Sequence, residues 1–170
     1  MIDTYIQNTS NYYKLKIQDM FEIEREGEKK IFNPLKLMNK KLLFHGSRFS
    51  NFPGILTNGL RIAPPEAPKT GYNFGKGVYL ADFAGKSTPY SCPHLSKNEI
   101  LLIMCETALG NPRELTCPDY DAANLPSGTH STHALGRSRP DPSGDVMFEK
   151  DISVPLGKTQ DFNGGGMGAN

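Results

Sequence analysis

An early segment of the chain, residues 14–25, alternates between apolar and polar residues. Over residues 14–25 the apolar side chains fall on one parity, and lysine, glutamine and glutamate side chains fall on the other. This period of two is typical of a half-buried strand, and its break at Asp19-Met20 favours a β-bulge. The apolar positions of this predicted strand are Leu15, Ile17, Phe21 and Ile23.

Shorter apolar runs predict three more strands. They cover residues 41–44, 77–80 and 99–109, and the last is expected to be long and buried. The first runs into a turn at His45-Gly46, and Gly110-Asn111-Pro112 ends the third, because glycine and proline interrupt regular structure.

Capping residues predict two short helices. One spans 51–58, where Asn51 is the expected cap, a proline lies in the first turn and Gly59 ends the helix. A second helix is expected to begin near Phe83 with Asp82 as its cap.

The composition is rich in residues that form turns. The 17 glycines and 13 prolines make up about 18% of the 170 residues, whereas the usual combined share is about 12%. Prolines are frequent in 63–68 and 116–144, which are predicted to be loops. Several strands with few, short helices indicate an α+β fold with largely antiparallel pairing, and a chain of this length forms one domain.

Charge and cysteine content exclude several classes of protein. The 19 basic and 18 acidic residues leave a formal charge of +1, which disfavours a protein that grips nucleic acid along its whole face. No apolar run reaches the ~18 residues of a membrane span, and no secretory signal is visible. The three cysteines are widely spaced, so we expect a reducing, intracellular compartment. A zinc site is disfavoured because no CxxC pair exists; its ligands would be Cys92, His94, Cys105 and Cys117.

Two phosphate-binding motifs are present only in part. Gly157-Lys158-Thr159 resembles the end of a Walker loop, but Ile152 stands where the first glycine is required. Residues 75–80 begin like a dinucleotide motif, yet they end in leucine and run into a predicted strand. Both a P-loop enzyme and a Rossmann enzyme are therefore excluded.

Three stretches rich in polar residues remain. Residues 43–48 read Leu-Phe-His-Gly-Ser-Arg, 59–68 read Gly-Leu-Arg-Ile-Ala-Pro-Pro-Glu-Ala-Pro, and 71–82 contain Gly-Lys-Gly-Val-Tyr-Leu-Ala-Asp. Taken singly, each has an ordinary structural explanation, since a histidine at a strand end bonds locally and tyrosines near a helix start pack.

At these residues the chain closely resembles the catalytic domain of the poly(ADP-ribose) polymerase family, in particular its nuclear, DNA-damage-responsive type. The resemblance runs from about Tyr12 to Gly157, and it includes the later matches at 135–136, 140–142 and 154–157. It implies the ADP-ribosyltransferase fold, two small antiparallel sheets with NAD+ in the cleft between them. The implied reaction transfers ADP-ribose from NAD+ to a protein side chain or a growing chain and releases nicotinamide.

The resemblance also implies roles for residues around a nicotinamide slot. His45 matches the histidine that holds an adenosine-ribose hydroxyl, and Gly46 and Ser87 match the groups that bind the nicotinamide amide. Tyr79 and Tyr90 match the rings on the two faces of the nicotinamide. His45 and Tyr79 are accordingly the candidate catalytic residues.

Four further residues complete the implied donor site. Ser47 and Arg61 match the adenosine and phosphate end, where a guanidinium group suits a diphosphate. Tyr72 lies in the loop that covers the donor, and Lys86 lies beside the slot on the predicted helix, which Pro89 is expected to end or kink.

The family's catalytic glutamate has no match in this chain. In the family it lies in an Asn-Glu-Tyr motif beyond the Val-Pro-Leu-Gly stretch, and no such motif follows residues 154–157. The glutamates that do not match it are Glu99, Glu106, Glu114 and Glu149. We therefore expect a C-terminally incomplete domain without its last strands, which releases nicotinamide very slowly or not at all.

The expected organisation has three segments. Residues 1–40 form a leading strand and turn, 41–110 the NAD-binding core, and 111–170 a loop-rich, truncated segment. The resemblance implies a nuclear enzyme of DNA repair that uses NAD+ and protein acceptors, without a metal, a membrane or direct nucleic-acid contact by this segment. The alternatives are an inactive protein that binds NAD+ or ADP-ribose, and the remnant of a gene.

Overall fold

A computed structural model of the chain describes residues 1–32, 37–63 and 71–166. Within these residues, the regular structure consists of four short α-helices, eight short strands and four single-turn 3₁₀ helices. The helices are α1 (Ile2–Thr9), α2 (Glu28–Ile31), α3 (Phe52–Asn58) and α4 (Ala84–Ser87). The strands are β1 (Lys40–Gly46), β2 (Leu102–Ala108), β3 (Pro112–Leu115), β4 (Ser131–Ala134), β5 (Ser138–Pro140), β6 (Asp145–Phe148), β7 (Ile152–Pro155) and β8 (Thr159–Asp161).

The largest sheet has the strand order β2-β1-β7-β6. Strand β1 pairs antiparallel with β2 over its whole length, from Lys40 opposite Ala108 to Gly46 opposite Leu102. It pairs parallel with β7 only through Lys40 and Lys41, and β7 pairs antiparallel with β6. Strands β3 and β4 form a small parallel sheet, and β5 and β8 form a small antiparallel one.

The core lies where α1 and α4 meet β1. Tyr5 and Phe44 are fully buried, and their ring centroids are 4.4 Å apart. The Tyr5 hydroxyl donates to the Leu42 carbonyl at 3.0 Å, so the one polar atom of this ring is satisfied. Tyr5 and Thr9 are four residues apart and share the buried face of α1, as helical periodicity requires. The burial of α1 against the sheet thus depends on one aromatic pair.

A buried lysine joins three strands at the start of β1. The Lys40 side chain is 8% exposed, and its Nζ lies 3.4 Å from Glu106 on β2 and 2.5 Å from Asp151 beside β7. The hydrogen bond to Asp151 raises the pKa of Lys40 above its ordinary value. Because a buried charge is costly without partners, these two carboxylates let a lysine occupy a central strand.

Several predictions from the sequence are confirmed. The fold is α+β, and β1 contains the predicted strand 41–44, although it continues through His45 and Gly46, where a turn was predicted. Helix α3 occupies the predicted range and is ended by Gly59, whose φ is +76° and whose N–H donates to the Ile55 carbonyl at 2.7 Å. The predicted strand 99–109 is present but shorter, from Leu102 to Ala108, and it is half-buried rather than buried as predicted.

The prediction of a strand over residues 14–25 is wrong. None of the strands in the described part of the chain includes these residues, and the Phe21 side chain is 81% exposed. Alternation describes which way side chains face, whereas a strand also needs a partner that accepts and donates its backbone hydrogen bonds. Helix α1, which precedes this segment, was not predicted.

The predicted strand 77–80 is also absent from the described residues, and Ala81 forms a single bridge with Phe44 instead. The Phe44 N–H donates to the Ala81 carbonyl at 2.7 Å, and the Ala81 N–H donates back at 2.9 Å. Beyond Lys41, β1 no longer pairs with β7, so its later residues are free to make this bridge.

Asp82 does not cap α4, contrary to the prediction. The helix starts at Ala84 and its cap position is Phe83, so the carboxylate lies one residue too early. The Thr9 hydroxyl accepts the Ala84 N–H at 3.2 Å in its place. Burial raises the pKa of Asp82.

The sheets differ in detail from the two antiparallel ones expected. The described residues form three sheets, in which two of the five strand pairs are parallel. Strands β4 and β5 lie inside the segment predicted to be loop, because short strands paired at their edges tolerate nearby prolines. Most of the predicted proline loop at 63–68 lies outside the described residues. The helices that the structure describes are all too short or too polar to cross a membrane.

Replacing Phe44 with alanine should strongly destabilise the domain, because Phe44 is fully buried against Tyr5. We expect the free energy of unfolding in urea to fall by about 3–5 kcal/mol. Phe21→Ala is the control, since this exposed ring should change it by less than about 0.5 kcal/mol. Equal effects of the two substitutions would contradict this assignment of the core.

Cys105 on β2 should make stability depend on pH in alkaline solution. Burial, followed by the charge of Glu28, raises the pKa of the Cys105 thiol from 9.0 to about 11. A pKa raised by folding gives stability that is present below pH 9 and is lost as pH rises toward 11. Between these values wild type should lose roughly 2 kcal/mol more than Cys105→Ala in urea unfolding under reducing conditions. Parallel pH profiles would disprove the effect.

Candidate active site

The end of β1 carries the first candidate site residue, His45. Its Nδ1 lies 2.9 Å from the carbonyl oxygen of Tyr79. A carbonyl can only accept, so this contact places the proton on Nδ1 and leaves Nε2 as an acceptor in the neutral ring. The bridge between Phe44 and Ala81 holds the two segments side by side at this point.

The next residue, Gly46, lies against the carbonyl of Ser87 at the end of α4. A Cβ on Gly46 would overlap the Ser87 carbonyl oxygen and would lie 3.0 Å from the Ser91 hydroxyl. The Ser87 side chain is buried, and its hydroxyl donates to the Phe44 carbonyl at 3.2 Å. Only glycine lets the strand and the helix approach this closely.

Residues 71–79, here called the tyrosine loop, fold around the hydroxyl of Tyr79. This hydroxyl donates to the Gly75 carbonyl at 2.7 Å and accepts the Phe74 N–H at 3.0 Å. The rings of Tyr72 and Tyr79 are 6.1 Å apart and inclined at 54°. Burial is the main cause that raises the pKa of Tyr79 above its ordinary value. The orientation of the ring is therefore tied to the backbone of its own loop.

Lys86 and Tyr90 lie on either side of a change in helix type. Helix α4 ends at Ser87 and continues as a 3₁₀ turn over Thr88–Ser91, with Pro89 in its first positions. The helix thus ends before the proline, as expected, and Lys86 and Tyr90 do not share one continuous α-helical face. Burial lowers the pKa of Lys86. Tyr90 is 62% exposed and lies close enough to Tyr79 to contribute to that residue's raised pKa.

The structure thus brings six candidates together and leaves two at the margin. The six are His45, Gly46, Tyr72, Tyr79, Ser87 and Tyr90, with Lys86 one residue from Ser87. Ser47 accepts a hydrogen bond from Nδ2 of Asn51 at 2.9 Å, and the Asn51 side chain makes no capping hydrogen bond to α3. Arg61 is exposed and starts the segment that leads into residues 64–70, outside the described part.

Comparison with known proteins identifies the family. The sequence model of the poly(ADP-ribose) polymerase catalytic domain matches residues 1–166. This chain belongs to that family. It is similar to poly [ADP-ribose] polymerase 1 of Xenopus laevis, with 47% identity over 169 residues that cover 96% of this chain and 17% of the relative.

Two other relatives come from distant organisms. The poly [ADP-ribose] polymerase of Sarcophaga peregrina is 43% identical over 93% of this chain and 16% of the relative. Poly [ADP-ribose] polymerase 2 of Arabidopsis thaliana is 45% identical over 93% of this chain and 26% of the relative. The chain therefore spans between a sixth and a quarter of the length of these polymerases.

Two of the glutamates named in the sequence analysis lie close to basic side chains. Glu106 contacts Lys40, which lies at the other end of β1 from Gly46. Glu114 lies 3.7 Å from His133 on the neighbouring strand. In the described ranges, no three histidine, cysteine or acidic side chains lie close enough together to hold a metal ion.

One group of residues around the tyrosine loop was missed in the sequence. The Asp119 N–H donates to the Asn73 carbonyl at 2.8 Å, and Ala122 is buried beneath Gly75. No motif marks this segment, and only its proximity in the fold reveals it.

Replacing Gly46 with alanine should destabilise the domain, because the added methyl group overlaps the Ser87 carbonyl oxygen. We expect a loss of about 1–3 kcal/mol in the free energy of unfolding, as for other overpacked sites. Gly54→Ala in α3 is the matched control, since its Cβ meets nothing within 4 Å and should stabilise the helix. A Gly46→Ala variant as stable as wild type would contradict the close approach.

Proposed function

We propose that this domain binds NAD+ and forms part of an enzyme that transfers ADP-ribose from NAD+ to protein side chains and releases nicotinamide. Membership of the polymerase family and the names of the relatives support the reaction class. The observation that carries the proposal is the cluster at the end of β1. There Gly46 meets Ser87, and His45 meets Tyr79.

The nicotinamide end of NAD+ would lie between Tyr79 and Tyr90. Both rings remain partly exposed, at 39% and 62%, so faces are available for stacking on a flat, cationic pyridinium. The bare backbone of Gly46 suits close hydrogen bonds to the amide, with Ser87 beside it. These contacts orient the glycosidic bond more than they attack it, which suits a reaction whose transition state is an oxocarbenium ion.

His45 would hold a ribose hydroxyl. Its Nδ1 is occupied by the Tyr79 carbonyl, so Nε2 is the nitrogen left to accept a hydrogen bond from that hydroxyl. Ser47 and Arg61 would serve the adenosine and diphosphate end, while Tyr72 covers the donor and Lys86 lines the slot. With these assignments, the segment 41–110 is the NAD-binding core of the domain.

The wider setting of the enzyme is part of the same proposal. We infer protein acceptors for the ADP-ribose and a nuclear location in DNA repair, because the chain resembles the nuclear, DNA-damage-responsive polymerases.

Isothermal calorimetry with nicotinamide tests the proposed slot. Wild type should bind both nicotinamide and NAD+. Tyr90→Ala should weaken the binding of both about tenfold through lost stacking, and His45→Ala should weaken the binding of NAD+ about tenfold through a lost hydrogen bond to the ribose. Tyr12→Ala is the control, since Tyr12 is 99% exposed and lies outside the site.

No binding by wild type, or an equal loss in Tyr12→Ala, would refute the slot. Binding without release of nicotinamide from NAD+ would favour a protein that binds NAD+ and does not turn it over.

A further inference from the structure

The tyrosine loop is supported from outside by residues 116–125, here called the supporting loop. The Asp119 N–H donates to the Asn73 carbonyl at 2.8 Å. Gly75, at φ +75°, packs directly on the backbone of Ala122 and Ala123, and a Cβ there would overlap the Ala123 nitrogen. Ala122 is 1% exposed. One backbone hydrogen bond and one glycine contact therefore join the two loops.

Asp119 organises the supporting loop through its carboxylate. Oδ1 accepts the Asp121 N–H at 2.9 Å, and the Asp119 carbonyl accepts the Ala122 N–H at 3.2 Å. Oδ2 lies 2.9 Å from Nη2 of Arg113 on β3, and both side chains are 31% exposed. The carboxylate thus shapes the turn that presents Ala122 to Gly75, and Arg113 ties that turn to a strand.

The same contacts lead to the hydroxyl of Tyr79. Asn73, which accepts from Asp119, precedes Phe74, whose N–H donates to that hydroxyl at 3.0 Å. Gly75, which rests on Ala122, supplies the carbonyl to which the hydroxyl donates at 2.7 Å. A displacement of Asp119 would therefore move both backbone groups that orient the Tyr79 ring.

We propose that Arg113 and Asp119 are positioning residues that hold the tyrosine loop in the geometry of the nicotinamide slot. The inference rests on the proposed function for the identity of the ligand, whereas the contacts that hold the loop stand without it. Both residues act through the backbone of Asn73 and Gly75. Breaking the pair should therefore loosen the tyrosine loop and leave β1 unchanged.

Hydrogen exchange without ligand is the first measurement, made on the whole chain. In Arg113→Met and Asp119→Asn, amides of residues 72–79 should exchange faster than in wild type, while β1 keeps its protection. Nicotinamide affinity should fall about tenfold, the order expected for a lost charge-assisted hydrogen bond. Arg113→Lys keeps the positive charge and should recover most of both properties.

Glu114→Gln is the matched control. Glu114 is the next residue on β3, and its carboxylate lies 3.7 Å from Nδ1 of His133 on β4. Its loss should change neither exchange in residues 72–79 nor nicotinamide affinity.

Two results would overturn the proposal. One is unchanged exchange of residues 72–79 in both variants, and the other is faster exchange with wild-type affinity. If wild type itself does not bind nicotinamide, the proposed function fails, and the exchange measurement alone decides whether the pair holds the loop.

Discussion

The close approach of β1 to α4 is the constraint on which the rest of the candidate site depends. Phe44 bridges to Ala81 through two backbone hydrogen bonds, and two residues later Gly46 meets the Ser87 carbonyl without a side chain between them. One strand end therefore brings together the tyrosine loop on one side and the helix on the other. A bulkier residue at Gly46 would force the strand end and the helix apart, and with them the candidate residues His45 and Ser87.

Helix α1 packs against both β1 and α4 and thereby keeps α4 in place. The Tyr5 ring packs on Phe44. The Thr9 hydroxyl accepts a hydrogen bond from the Ala84 N–H, so α1 supplies the partner for a backbone group at the start of α4 that has none within its own helix. Gly85 lies close to the Ser10 backbone, with 2.6 Å between its would-be Cβ and the Ser10 carbonyl oxygen. The N-terminal helix is thus part of the support of the site, although it contributes no candidate binding residue.

Much of the candidate site could be predicted from the sequence, because its residues form short motifs with specific chemistry. The strand that ends at His45-Gly46 and the helix that ends at Gly59 were predicted from apolar runs and punctuating glycines. The prediction of a strand over 14–25 was wrong, because alternation of apolar and polar side chains does not show whether another strand is available to pair with the segment. Asp82 failed as a cap because a helix start is set to within one residue by tertiary contacts, here with Thr9.

The sequence by itself determined the family and the α+β class, since these depend on local patterns and on motifs, and it supplied the candidate residues from which the slot is proposed. Only the tertiary structure decided that Gly46 is needed against Ser87, and that Tyr79 is oriented by its own loop. The supporting role inferred for Arg113 and Asp119 also comes from tertiary structure alone. The physical reason is that hydrogen bonds and close contacts join residues far apart in the chain, such as Asp119 and Asn73, and no local pattern records them.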